Sequence, residues 1–272
     1  MQQLDEEQKV FSKFRPLIHS GEINDNSDFV CSLYSDDNKY LRDILKNNRL
    51  YASNFLKFND VREGWFNFLF SKSDEEKDIV KALENIKSEK EKRFICCFSK
   101  KFGENSSKEL LMWAHYANNH IGFRIDFTLD ENEMSKTYDV KYGYKPKLIE
   151  NIKNYFPENS EMIEILTRKD NVWKYEREYR TILDPYDTSN SADDKNGEFV
   201  KINIERVVIG RGFLPVVFDC DRGNNIPRNI EDLSCALKGL LENEKIKISM
   251  YKSRYSDELV DLKNRQKQST NT

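Results

Sequence analysis

Five consecutive apolar residues, Phe94-Ile95-Cys96-Cys97-Phe98, lie between Arg93 and Ser99. A half-exposed strand would alternate, and a run of this length is too short for a buried helix. The run therefore reads as a strand covered on both faces, in the interior of a sheet. Around it, segments of period 2 and period 3.6 interleave without a regular βαβ rhythm, and several strands are sequential neighbours. That order favours an α+β fold with a central mixed or antiparallel sheet flanked by helices. No G-x-G-x-x-G and no G-x-x-x-x-G-K-[ST] occurs, so neither dinucleotide-binding nor P-loop architecture is supported.

Residues 4–19 have helical spacing, with Val10, Phe11, Phe14, Leu17 and Ile18 as the apolar stripe. They predict a helical extension over 1–28. Phe29 to Tyr34 reads as a buried strand, a short helix follows around Tyr40 to Leu45, and Arg49 to Ser53 reads as a second strand. Ser73-Asp74-Glu75-Glu76 predicts a capping box for a helix striped by Ile79, Val80, Leu83 and Ile86. The end of that helix, Lys87 to Arg93, reads as a solvated face. Ser106-Ser107-Lys108-Glu109 predicts a second box and a helix to Ala117. Ile121–Phe127 and Tyr138–Tyr144 alternate as strands, and residues 147–171 look helical in two pieces broken near Pro157. A polar loop spans 184–197. Val200–Ile204 and Arg206–Gly210 read as strands separated by Glu205. A helix over 229–242 follows, with Lys245–Tyr251 as the last strand. One domain is expected over 29–253, with a polar, partly disordered tail over 254–272.

The chain of 272 residues carries 33% charged residues and a net charge of −3, so no global basic field argues for nucleic acid. No run of eighteen apolar residues and no signal peptide is present, which predicts a cytoplasmic protein without a membrane partner. The five cysteines include no C-x-x-C, and Cys96 and Cys97 read as buried thiols. His115 and His120 are five apart, one residue off the spacing of a zinc helix, so no metal is expected.

The densest chemistry lies at Trp173-Lys174-Tyr175-Glu176-Arg177-Glu178-Tyr179-Arg180. Read as a strand, it places Glu176, Glu178 and Arg180 on one face, with the carboxylates roughly 7 Å apart along it. Both could then touch one small ligand. The other readings are a salt-bridged surface strand, or a helix with a Glu176–Arg180 pair at i,i+4. Trp113 and Tyr116 stand at i,i+3, as a core stripe or a stacking platform. Asn59-Asp60 is either a structural turn and cap or a polar pair at a site.

Taken together, Phe58-Asn59-Asp60 with Glu63, Cys97-Phe98-Ser99, Met112-Trp113-x-x-Tyr116 with His120 and Gly122, Val140-x-Tyr142, and Lys169-x-x-x-Trp173-x-x-Glu176-x-Glu178-x-Arg180 form an ordered set over roughly residues 29–251. The set resembles a large bacterial family of unknown function, some of whose relatives are linked to abortive phage infection. Val61 stands where that family usually has proline, and Cys31-Ser32-Leu33-Tyr34 replaces its aromatic-basic pattern.

The layout more distantly resembles ADP-ribosyltransferases, with an early strand, a motif strand ending in Ser99 and a late strand bearing Glu-x-Glu. This resemblance implies a split sheet and NAD as substrate, with ADP-ribose passing to a macromolecular acceptor. Glu178 would hold the ribose 2′-hydroxyl and face the oxocarbenium-like charge. Glu176 would orient the acceptor, Ser99 would position Glu178, and Trp113 or Tyr116 would stack on nicotinamide. Arg180, Asn59 and Asp60 complete the expected site. Two other classes stay open. One is a nucleic-acid enzyme with Mg²⁺ on Glu176, Glu178 and Asp60. The other is a non-enzymatic sensor with a partner protein.

Overall fold

The computed structural model describes residues 10–23, 27–58, 63–71, 75–102, 106–143, 145–184, 197–216, 218, 220 and 225–262. The expected Asn59-Asp60 turn, the Ser73-Asp74 cap, the 185–196 loop and the tail beyond 262 lie outside them. Strands and helices mix throughout, so the fold is α+β. The chain divides into two compact units. The first is residues 1–49, 101–129 and 202–272; the second is residues 50–100 and 130–201.

The first unit holds five paired strands, β1 (Phe11–Pro16), β5 (Gly122–Thr128), β12 (Asn203–Ile209), β13 (Lys247–Tyr251) and β14 (Leu259–Asp261), in that spatial order. Its ladders are antiparallel except β12–β13, which is parallel. The β5–β12 ladder slips between Ile204 and Arg206. Glu205 is therefore a bulge inside one strand rather than a gap between two. Helices α1 (Phe29–Tyr34), α2 (Lys39–Asn47) and α7 (Arg228–Leu240) pack together, and α4 (Ser107–Tyr116) lies against β1.

Two expectations fail in this unit. The described part of the expected 4–19 helix holds strand β1 instead, whose six residues pair in unbroken register from Phe11 opposite Phe127 to Pro16 opposite Gly122. The Phe11, Phe14, Leu17 spacing suits a helix, but a full ladder outweighs that local pattern. Phe29–Tyr34 is a helix, not a strand, because Asp28 caps it by accepting from Cys31 N at 2.8 Å. A further strand, β14, follows the one read as last, and Ser249 Oγ donates to Asp261 Oδ1 at 2.6 Å across that pair.

In the second unit the sheet order is β11 (Gly197–Lys201), β2 (Arg49–Asn54), β4 (Phe94–Lys100), β10 (Glu178–Leu183) and β6 (Thr137–Asp139). Strand β4 is antiparallel to both β2 and β10, the interior place its apolar run requires. Two small parallel pairs accompany it: β3 (Phe66–Phe68) with β8 (Lys147–Ile149), and β7 (Lys141–Gly143) with β9 (Arg168–Asp170). Helices α3 (Glu76–Glu91), α5 (Glu131–Ser135) and α6 (Asn159–Leu166) complete the unit. Phe55, Ile86, Ile95, Ile149, Met162, Ile165, Leu166 and Ile182 form its core.

Here too the sequence reading needs correction. Tyr138–Tyr144 is not one strand: its described part divides between β6 and β7. Of 147–171 only α6 is an α-helix, starting just after Pro157, while β8 and β9 flank it. The cap of α3 is a Glu75–Asp78 box rather than one built on Ser73. Its buried face runs through Asp78, Ala82, Ile86 and Glu89, leaving Val80 48% and Leu83 44% exposed. Glu89 and Arg93, expected in solvent, are buried and paired with each other at 3.6 Å.

Candidate functional site

The Trp173–Arg180 stretch is not a continuous strand. Asn171–Glu176 forms a 3₁₀ turn, capped by Asp170 accepting from Val172 N at 3.1 Å. Arg177 then adopts a left-handed conformation (φ 50°), and β10 begins at Glu178. This reversal, rather than strand alternation, turns both Glu176 and Glu178 inward onto Lys169. Lys169 Nζ lies 2.7 Å from Glu176, 2.9 Å from Glu178 and 3.2 Å from Glu63. Arg180, two residues along β10, donates from Nε to Glu178 Oε1 at 2.9 Å and from Nη2 to Glu63. Its Nη1 donates to the Leu166 carbonyl.

All five side chains are buried. The backbone nitrogen of Glu178 donates to the Tyr142 hydroxyl at 2.8 Å, which anchors the start of β10 to β7. Trp173 covers Lys169 with its ring 5.3 Å from Nζ, and Phe58 lies 5.6 Å from the Arg180 guanidinium. These aromatic lids exclude water and strengthen the charges beneath them.

Burial alone would push the Glu178 carboxyl up, but Arg180 and Lys169 outweigh it and hold the group well below the usual carboxylate range. Burial would likewise lower the Lys169 ammonium, yet Glu178, Glu63 and Glu176 hold it above its ordinary value. Burial raises the Tyr142 hydroxyl, so it stays protonated. Among the described residues of the cluster, three carboxylates stand against two cations, a formal surplus of one negative charge. A carboxylate offers about four acceptor positions. Glu178 fills them with Arg180 Nε and Nη2, Lys169 Nζ and the Cys97 thiol.

Ser99 stands directly opposite Glu178 on the β4–β10 ladder, and Cys97 opposite Arg180. Ser99 is buried and has no side-chain hydrogen bond to Glu178. The structure thus brings Glu176, Glu178, Arg180 and Ser99 together, and adds Lys169, Glu63 and Cys97. Lys169 and Glu63 both belong to the ordered motif set; only the fold shows that Glu63 joins residues more than a hundred positions later. Asn59 and Asp60 lie outside the described residues.

Trp113 and Tyr116 belong to the first unit. Trp113 is wholly buried and donates from Nε1 to Glu109 at 3.0 Å and to the Tyr251 hydroxyl at 2.9 Å, so it is a core residue. Tyr116 ends α4 and is 39% exposed. The Ser106–Glu109 capping box is not formed. Ser106 makes no side-chain cap bond, and Glu109 turns inward to Trp113, Tyr251 and Arg124. Arg124 also grips Asp126 at 2.9 and 3.0 Å, and Asp126 accepts from Ser12 at 2.7 Å. The polar face of β5 is therefore as buried as its apolar face.

Fold and cluster together define an α+β protein built around a buried ionic centre. Residues 112–181 match a family described as Protein of unknown function (DUF2971). That stretch holds Lys169, Glu176, Glu178 and Arg180, while Glu63, Cys97 and Ser99 precede it. No curated protein and no solved structure matches the chain. Among the described residues, no helix is long and apolar enough to cross a membrane. Among them, too, no group of three His, Cys, Asp or Glu side chains is arranged to hold a metal ion.

Proposed function

We propose that the second unit carries an ADP-ribosyl-transfer centre in which Glu178 is the reacting carboxylate, and that the protein is an effector of phage defence. The observation that supports this most is the one-charge acidic surplus, held on a strand with Glu178 ionised opposite Ser99. In such a reaction the glycosidic bond between ribose C1′ and the nicotinamide nitrogen breaks, and nicotinamide leaves with the bonding pair. Positive charge develops on the ribose, and a fixed carboxylate facing it lowers the barrier. An acceptor nucleophile then bonds to C1′ and gives up its proton to solvent.

A substrate hydroxyl reaching Glu178 replaces the Cys97 thiol, the weakest of its donors. Glu176 and Glu63 hold Lys169 and Arg180, which keep Glu178 in place. The metal-dependent reading has less support, because Lys169 Nζ occupies the point between the three carboxylates that a cation would take.

The test is nicotinamide release from NAD by purified protein, with and without cell lysate. Wild type should release it and Glu178→Gln should not, with both giving the same circular dichroism spectrum. Equal rates in the two proteins, or no release under any condition, would refute the assignment and leave the cluster as an ionic staple.

A further inference from the structure

The backbone of the first unit is most unusual at Asn118-Asn119-His120. These three successive non-glycine residues have φ of 45°, 54° and 73°. A non-glycine residue in that region costs roughly 1 kcal/mol or more, and such residues gather at functional sites. Here the surroundings enforce the turn. Gly212 N donates to the His120 carbonyl at 3.0 Å. A Cβ on Gly210 would stand 2.2 Å from that same oxygen, and one on Gly212 2.8 Å from it.

Two glycines thus let the 210–212 backbone press against the His120 turn, with Arg211 between them. The His120 ring stacks on Trp113 at 6.0 Å. Arg211 lies over the Tyr251 ring at 4.1 Å, and Arg254 reaches the Gly212 carbonyl at 3.5 Å.

The polar atoms of this corner are under-used. His120 Nδ1 and Arg211 Nε are buried without a hydrogen-bond partner among the described residues. Each such group costs about 1–3 kcal/mol unless something else supplies the bond. Arg211 shares its charge with the half-exposed Asp257 at 2.8 Å. Among the described residues Arg254 has no carboxylate partner, and it donates there to the Gly212 carbonyl alone. Glu109, the nearest buried acid, is engaged by Arg124, Trp113 and Tyr251.

We propose that the corner where His120, Arg211 and Arg254 meet is a binding site for a phosphate-bearing ligand. The two guanidiniums supply planar donors suited to phosphate oxygens, and the imidazole supplies a further donor. The site does not depend on the ADP-ribosyl-transfer reading of Glu178.

His120 is its own probe. Burial, then Arg211 and Arg254, hold its imidazole below the ordinary histidine value. A bound phosphate offsets those cations, so the His120 pKa should rise by about one unit or more. The measurement is an NMR pH titration of the three histidines with pyrophosphate, ADP or adenosine added, His19 and His115 serving as internal controls. Pyrophosphate and ADP should both raise His120 alone, and tighter binding of ADP would show that the nucleoside adds contacts. Arg254→Gln, which gives up one long bond to the Gly212 carbonyl, should remove the effect while leaving the melting temperature unchanged; Arg211→Lys should weaken it. No shift of His120 at millimolar pyrophosphate or ADP, an equal shift with adenosine, or an undiminished shift in Arg254→Gln would overturn the proposal.

Discussion

Replacing Lys169 with methionine keeps the length of the side chain and removes its charge. Glu63 and Glu178 then keep the buried Arg180 as a partner, and three bonds of 2.7 to 3.2 Å from the three carboxylates are lost. Removing one partner of a buried ion pair costs about 3–5 kcal/mol, against a total of about 5–15 kcal/mol for a domain. With an m-value of about 2 kcal/mol/M, the urea midpoint should fall by about 2 M. The effect also has a sign in pH. Glu178 is held below its ordinary value of 4.5 in the folded protein, so its contribution is complete above that value and fades as pH falls through the lowered one. Lys169 is held above 10.5, so its contribution is complete below 10.5. The gap between wild type and variant should therefore be wide at pH 7 and narrower at pH 4, where the stranded carboxyls of the variant take up protons. Urea titrations followed by tryptophan fluorescence read both, since Trp173 covers the cluster. A midpoint drop under about 0.3 M at pH 7, or the same drop at both pH values, would show that the cluster does not hold the unit together.

Gly210→Ala should be costly, because its Cβ would meet the His120 carbonyl at 2.2 Å with backbone on both sides. A loss of about 3 kcal/mol or more is expected in thermal melts, and a loss under about 1 kcal/mol would show that the turn is loose. On α3, Leu83→Gln should change stability by no more than about 0.5 kcal/mol, while Ala82→Leu at the buried position should cost about 1–3 kcal/mol. The reverse ranking would restore the stripe that periodicity suggests.

Much of this fold can be read where a segment obeys one rule along its whole length. The apolar run of β4 is interior, and the stripe of α7 is buried at Ile230, Leu233 and Leu237. Reading fails where a distant partner decides. Phe11, Phe14 and Leu17 are spaced for a helix, yet β1 is a strand because β5 offers it six paired residues. For α1 a signal was present: Asp28 immediately precedes the apolar run and caps it. At the candidate site, the motif located Glu176, Glu178 and Arg180, but for a reason the backbone does not share. Their convergence comes from a 3₁₀ turn and a left-handed Arg177, which alternation cannot anticipate. Glu63 belongs to the motif set, but its partner is not legible there, since its role depends on a cation on β9.

The interleaving of the two units bears on how the chain is made. The second unit has all its residues by position 201, whereas the first needs strands that run to Asp261. Between the end of β5 at Thr128 and the start of β12 at Asn203 lie 74 positions, 129 to 202. At about 5–20 residues per second, the ribosome needs roughly 4–15 s to cross them. For that interval β5 has β1 on one side and an open edge on the other, with Phe123, Ile125 and Phe127 not yet covered by the later strands. An uncapped apolar edge is a template for unwanted pairing between nascent chains. The sheet of the first unit is thus completed only after the residues of the second unit have been made.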